Sequence, residues 1–160
     1  MKYKIIDDVL PDTEFHQIKI PILSSSCGWH FNNSISSKKD SNYFYFTHLF
    51  YNHSEPNSPF YQSLSPLLRI LKARALIRIK GNLYTRTEKK ETHPSHIDFD
   101  FEHKGAIFYI TTNNGLTILE DDTEIKSIAN RLLLFDSTKP HRSTSCTDEK
   151  YRMNININYF

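Results

Sequence analysis

From Leu76 to its last residue the chain reads as strand after strand, with no helical pattern between them. LIRIKGNLYT alternates apolar and polar residues, and SHIDFDF alternates with acids on one face. AIFYITT runs into an Asn-Asn-Gly turn at 113–115 followed by LTILE, which is a hairpin signal. NRLLLFD (130–136), HRSTS and YRMNININY complete the set. Helical patterns come earlier. LPDTEFHQIKI offers a helix with Phe15 and Ile18 on one face, stopped by Pro21. SPLLRILKARA has Ser65 to cap, Pro66 for the first turn, and Leu67, Leu68 and Leu71 as an apolar stripe. KYKIID (2–7) and the aromatic FYFTHLFY (44–51) read as strands. This order predicts a mainly β, α+β fold: an antiparallel sandwich or small jelly-roll barrel with helices at its N-terminal end. It runs against a parallel nucleotide-binding sheet, and the four glycines form no phosphate loop.

The chain's 160 residues suit one domain, with N-terminal support over about 1–75 and a barrel core over about 76–160. A net charge of +2 is well short of a dedicated nucleic-acid tail. Cys27 and Cys146 stand far apart with no CxxC spacing, which predicts free thiols in a reducing compartment. No stretch approaches the ~20 apolar residues of a membrane span, and the N-terminus lacks a signal-like apolar run. The expectation is a soluble cytoplasmic protein.

HPSHIDFDFEH (93–103) packs three histidines, two aspartates and a glutamate together. If 95–101 is a strand, His96, Asp98 and Asp100 share one face, while Ile97, Phe99 and Phe101 share the other and form core. His96 and Asp98 can then converge on one metal ion. The third candidate ligand is His141, which follows the strand NRLLLFD through a short turn at Pro140. Two histidines and one carboxylate leave three positions open, the arrangement of non-haem Fe(II) oxygenases, whereas structural zinc is closed by four ligands. An HxD alone also fits an ordinary surface strand pair.

Two more features join it. Arg152 lies eleven residues beyond His141, on a strand that can run beside the one holding His141 and place a fixed cation deep in the barrel. A buried guanidinium calls for an anion, and its fork matches a carboxylate. Asn82 and Tyr84 share a strand face twelve residues before the HxD, where they can donate to an acidic ligand. Singly, each has a structural explanation: Tyr84 as core, Asn82 as a strand end, Arg152 as half of an ion pair.

Together, His96, Asp98, His141 after LLLFD, and Arg152 on the next strand resemble the Fe(II)/2-oxoglutarate-dependent dioxygenase superfamily, in particular its prolyl-4-hydroxylase-like branch. The resemblance implies a double-stranded β-helix with Fe(II) held by His96, Asp98 and His141. It implies 2-oxoglutarate as cosubstrate, its distal carboxylate on Arg152 with Tyr84 as hydroxyl partner, and Asn82 and Asn154 as polar contacts. With O2, and ascorbate as a possible reductant, such a site hydroxylates a peptidyl or small-molecule substrate and releases succinate and CO2. Nucleic-acid dealkylases carry a second arginine where this chain has Asn158, and animal prolyl hydroxylases a lysine in place of Arg152; a nucleic-acid substrate therefore ranks lower. The alternative from another class is a non-catalytic, cupin-like metal- or ligand-binding jelly roll.

Other residues carry less. His93 with His96 makes an H-x-x-H but lacks further zinc ligands. Asp100 is offered a contact beside the site, Glu102 and His103 a turn, and Arg142 a solvated position. Loops 24–42 and 85–95 are the candidates for a substrate lid.

Overall fold

The computed structural model describes residues 3–35 and 43–160; residues 36–42 of the first candidate lid lie outside the described residues. In chain order the elements are β1 (Tyr3–Ile6), α1 (Asp12–Leu23), β2 (His30–Asn32), β3 (Tyr45–Asn52), β4 (Glu55–Pro56), a single 3-10 turn (Tyr61–Leu64), α2 (Ser65–Leu71), β5 (Leu76–Thr85), β6 (Lys104–Tyr109), β7 (Asn113–Ile118), β8 (Glu124–Ser127), β9 (Leu132–Phe135), β10 (Arg142–Ser143) and β11 (Tyr151–Tyr159). Two antiparallel sheets face each other. The larger has the order β1-β9-β6-β11-β5-β3-β2, with β4 beside β3, and the smaller has the order β10-β7-β8. Isolated bridges Thr92–Thr144 and His96–His141 bring the segment ahead of β6 against the smaller sheet. This is the jelly-roll architecture expected from the strand-rich second half.

Period-2 alternation sorts each strand between two environments. On β11, Met153, Ile155 and Ile157 turn outward, join Ile79 of β5 and Ala106 and Phe108 of β6, and pack beneath the helices. From α1 come Phe15, Ile18 and Ile22, one face of a helix, and from α2 come Leu67 and Leu71. Each such fully buried side chain contributes about 1.5–3 kcal/mol. The inward face of the large sheet is split. Ile107, Leu133 and Phe135 form a second apolar cluster with Ile125 of the smaller sheet and Leu119, just past the end of β7. The inward residues of β5 and β11 are polar and stand in register: Tyr84 opposite Arg152, Asn82 opposite Asn154, Lys80 opposite Asn156, and Arg78 opposite Asn158.

Several local expectations are corrected. Helix α1 does not stop at Pro21 but runs to Leu23, because a proline in the last turn forfeits one bond without ending the packed face. Ser65 does not cap α2; the preceding 3-10 turn leads straight into it, and the Ser65 hydroxyl donates to Gln62 O at 2.7 Å. The Asn-Asn-Gly at 113–115 is no hairpin turn. It lies within β7, and β6 and β7 belong to different sheets. Gly115 has no positive φ; a Cβ there would sit 2.4 Å from Arg152 Cδ, so the glycine makes room for the arginine. Residues 85–95 are not a free lid. Backbone bonds fasten them to the 143–150 stretch, among them Thr87 N to Cys146 O (3.1 Å) and His93 N to Ser143 O (2.8 Å). Among the described residues, no helix is long and apolar enough to cross a membrane.

Candidate metal and anion site

His96 and Asp98 do not reach the site as a strand. The stretch 95–101 is irregular, and only His96 pairs, by a bridge to His141. Nor do Ile97, Phe99 and Phe101 form the core: Ile97 and Phe101 are each 42 % exposed. Instead, Phe101 stacks on Phe160 at the surface, and Phe99 lies under the Arg78 guanidinium at 4.8 Å. The right side chains still converge, for a different reason. The reciprocal bonds His96 N to His141 O (3.0 Å) and His141 N to His96 O (2.9 Å) lock the two backbones side by side, and the rings lie 4.7 Å apart.

The donor atoms of His96, Asp98 and His141 all lie within 4.8 Å of one another, a spread that one ion can bridge. Both rings are oriented from behind. His141 Nδ1 faces the Lys139 carbonyl at 3.1 Å, and His96 Nδ1 faces the Pro94 carbonyl at 3.5 Å. A carbonyl only accepts, so each Nδ1 carries a proton, and Nε2 is the nitrogen that each ring can offer to a metal. Burial, with His141 beside it, pushes His96 down to about 4, so it is neutral at neutral pH.

Asp98 is fixed by three donors. Arg78 Nη2 donates to Oδ1 at 3.0 Å, while Asn156 and Asn158 donate to Oδ2 at 3.1 and 2.9 Å. Burial alone would raise its pKa. His141, Arg78, Asn158 and Asn156 outweigh it and hold the carboxyl down to about 2. His141 Nε2 sits 3.9 Å from Asp98 Oδ2.

Arg152 occupies the other end of the polar ladder and is fully buried. Its strand, β11, lies between β5 and β6, not beside the segment holding His141 as the sequence suggested it could. Nε donates to Ser127 Oγ (2.8 Å), Nη2 to Thr117 Oγ1 (3.0 Å) and Nη1 to Thr144 O (3.5 Å). All three acceptors are neutral, and among the described residues no carboxylate pairs with it. The guanidinium also lies over the Tyr84 ring at 5.2 Å. Tyr109, fully buried, donates its hydroxyl to the same Thr117 Oγ1 at 2.8 Å. One pocket joins the two ends, lined among others by Lys80, Asn82, Tyr84, His96, His141 and Arg152. Asn154 accepts from Asn82 Nδ2 at 3.0 Å, leaving Asn82 Oδ1 buried without a partner.

Sequence reasoning missed Arg78, Lys80, Tyr109, Thr117, Asn156 and Asn158. The alternation in LIRIKGNLYT and YRMNININY carried the signal for four of them, since each shares a face with a residue already singled out. Of the lesser candidates, His93 is buried and stacked on Tyr84 (5.2 Å), apart from the triad. His103 is not a simple turn residue but is buried on Ser137, and Arg142 pairs with Asp122.

No protein-family model and no curated protein matches the sequence. Solved structures do match. A 2OG-Fe(II) oxygenase family oxidoreductase from Burkholderia pseudomallei gives a TM-score of 0.71 at 9 % identity, over 98 % of this chain and 84 % of that one. The viral collagen prolyl hydroxylase of Paramecium bursaria Chlorella virus-1, solved with 2OG, gives 0.68 at 11 %, over 99 % and 94 %. The prolyl hydroxylase of Trichoplax adhaerens, solved with a hypoxia-inducible factor peptide, gives 0.67 at 15 %, over 99 % and 83 %. The chain therefore has the fold of the 2-oxoglutarate oxygenases.

Proposed function

We propose that this protein is an Fe(II)- and 2-oxoglutarate-dependent oxygenase that hydroxylates a peptidyl or small-molecule substrate and releases succinate and CO2. One observation carries the reading above the others: a fully buried Arg152, which has only neutral partners among the described residues, lies in the same pocket as His96 and His141, whose donor atoms converge with that of Asp98. A buried cation without an anion is costly, and a carboxylate ligand removes that cost. His96, Asp98 and His141 would hold the iron and leave three positions open for ligands. When bound, iron, 2-oxoglutarate and O2 supply oxidative decarboxylation coupled to hydroxylation, and ascorbate would serve as reductant in an assay.

The chain's own groups do the positioning. Arg152, with the Thr117 and Tyr109 hydroxyls beside it, would seat the distal carboxylate. Tyr84 lies under the guanidinium, and its hydroxyl, within reach of Arg152 and Ser143, would be the carboxylate's hydroxyl partner. Asn82 and Asn154 line the middle, and Asn82 Oδ1 still lacks a donor. Arg78, Asn156 and Asn158 keep Asp98 ionised and fixed. The peptide bound by the Trichoplax neighbour supports a peptidyl substrate here. Asn158 is engaged with Asp98 and is not a second arginine, which argues against a nucleic acid. We further infer that residues 1–160 act as one domain, and the two free, buried cysteines fit a cytoplasmic setting.

The test is succinate release from 2-oxoglutarate under Fe(II) and ascorbate. Expected is slow uncoupled turnover that stops without iron and in His96→Ala. No succinate from the wild-type protein would favour a non-catalytic, cupin-like binding domain.

A further inference from the structure

Lys80 is a buried group that the reaction above leaves unused. It projects from the inward face of β5, directly opposite Asn156, and lines the pocket with His96, His141 and Arg152. Its amine donates to the Tyr45 hydroxyl at 3.3 Å, a neutral partner. Among the described residues no carboxylate lies within 4.0 Å of it, and the nearest acid of the site, Asp98, is already taken up by Arg78, Asn156 and Asn158. Burial, with Arg78 beside it and Asp98 opposing, pushes its pKa down to about 8, which leaves it mainly a cation at neutral pH. Asn156 Oδ1, across the ladder from it, is buried and without a donor.

Position separates this cation from Arg152. Each inward step along the ladder spans about 7 Å. The Lys80–Asn156 row stands two steps from the Arg152–Tyr84 row and one step from the Arg78–Asn158 row that holds Asp98. Arg152 can serve one carboxylate at the far end, and among the described residues no carboxylate forms an ion pair with the second positive charge nearer the metal end.

Resting on the oxygenase reading, we propose that Lys80 is a second carboxylate-binding residue of this pocket, at its metal end. The carboxylate comes either from the cosubstrate, next to its keto group, or from the primary substrate. Both present the same chemistry to an ammonium.

The experiment compares wild type, Lys80→Met and Lys80→Arg, each loaded with Mn(II) in place of iron. Calorimetry gives the 2-oxoglutarate affinity, and water-proton relaxation gives acetate binding to the Mn(II)–2-oxoglutarate complex. If Lys80→Met weakens 2-oxoglutarate at least tenfold with no loss of Mn(II) affinity or melting temperature, and Lys80→Arg recovers it, the cosubstrate is the source. If 2-oxoglutarate affinity is unchanged but acetate binds the wild-type complex and not the Lys80→Met complex, the substrate is the source. Equal behaviour of Lys80→Met and wild type in both measurements overturns the proposal; Lys80→Gln takes its place should the methionine variant not fold. A wild-type protein that binds no 2-oxoglutarate at all overturns the oxygenase reading and Lys80 with it, a result seen before any variant is compared.

Discussion

Arg152 and Asp98 stand at opposite ends of one polar ladder, and the chain builds those two ends differently. Arg152 projects from the middle of a large sheet, β11 between β5 and β6, so its depth follows from strand pairing alone. Asp98 lies on an irregular segment and owes its place to donors that reach out from regular strands: Arg78 of β5, Asn156 and Asn158 of β11. The same two strands thus present a bare cation at one end and clamp an anion at the other. A seat for an incoming carboxylate must be left unpaired, whereas a metal-binding carboxylate must be fixed before the metal arrives.

Breaking the metal end should have the largest effect. Asp98→Ala removes a proposed ligand and strands Arg78, so metal affinity should fall by more than the roughly 10–100-fold typical of an outer contact. Calorimetric Mn(II) titration checks this, and an affinity within tenfold of wild type would show that Asp98 is not a ligand. Breaking the other end should spare the metal. Arg152→Met should bind Mn(II) normally and lose about 2–5 kcal/mol of 2-oxoglutarate affinity, the usual result of truncating one partner of a buried charge pair.

A subtler break separates depth from charge. Gly115→Ala leaves every polar group in place but sets a Cβ 2.4 Å from Arg152 Cδ, so the guanidinium must shift. We expect roughly a tenfold loss of 2-oxoglutarate affinity, with metal binding unchanged and about 1–3 kcal/mol of stability lost to overpacking. Wild-type affinity in this variant would mean that the arginine's position is not critical.

A pH effect belongs to the Arg152 end, where His93 stacks on Tyr84. Burial, with Arg152 and His96 near, pushes His93 down to about 3 from an ordinary value of 6.5. A depressed folded-state value means that unfolding takes up a proton as the pH drops. The stability His93 contributes is therefore whole above pH 6.5 and is lost as the pH falls toward 3, by up to about 1.4 kcal/mol per pH unit. His96 adds the same trend down to about 4. Urea melts of the metal-free protein between pH 6.5 and 4 should show a shallower slope in His93→Gln; an identical slope would place that proton uptake elsewhere.

The same contrast explains what was legible in the sequence. Regular strands announce themselves by alternation, so the jelly roll, Arg152, Asn82, Tyr84 and Asn154 could be placed from pattern alone, although the strands flanking Arg152 could not. The irregular segment gave the candidate ligands His96 and Asp98 through a strand that does not form, and its phenylalanines belong partly to the surface. Pairing between distant stretches is not written in local periodicity. Thr117 and Ser127 reach Arg152 across the barrel from the facing sheet, and no spacing in the chain foretells them. Gly115 shows the cost of reading a glycine locally: its neighbours suggested a turn, and its cause is a side chain thirty-seven residues away.

The most direct measurement is a calorimetric titration of 2-oxoglutarate into the protein with and without Mn(II), repeated on Arg152→Met. The predicted result is one equivalent bound with metal present, far weaker binding without it, and loss of binding in the variant while Mn(II) still binds. Binding that ignores the metal, or that survives intact in Arg152→Met, would contradict a single pocket with a metal at one end and a carboxylate seat at the other.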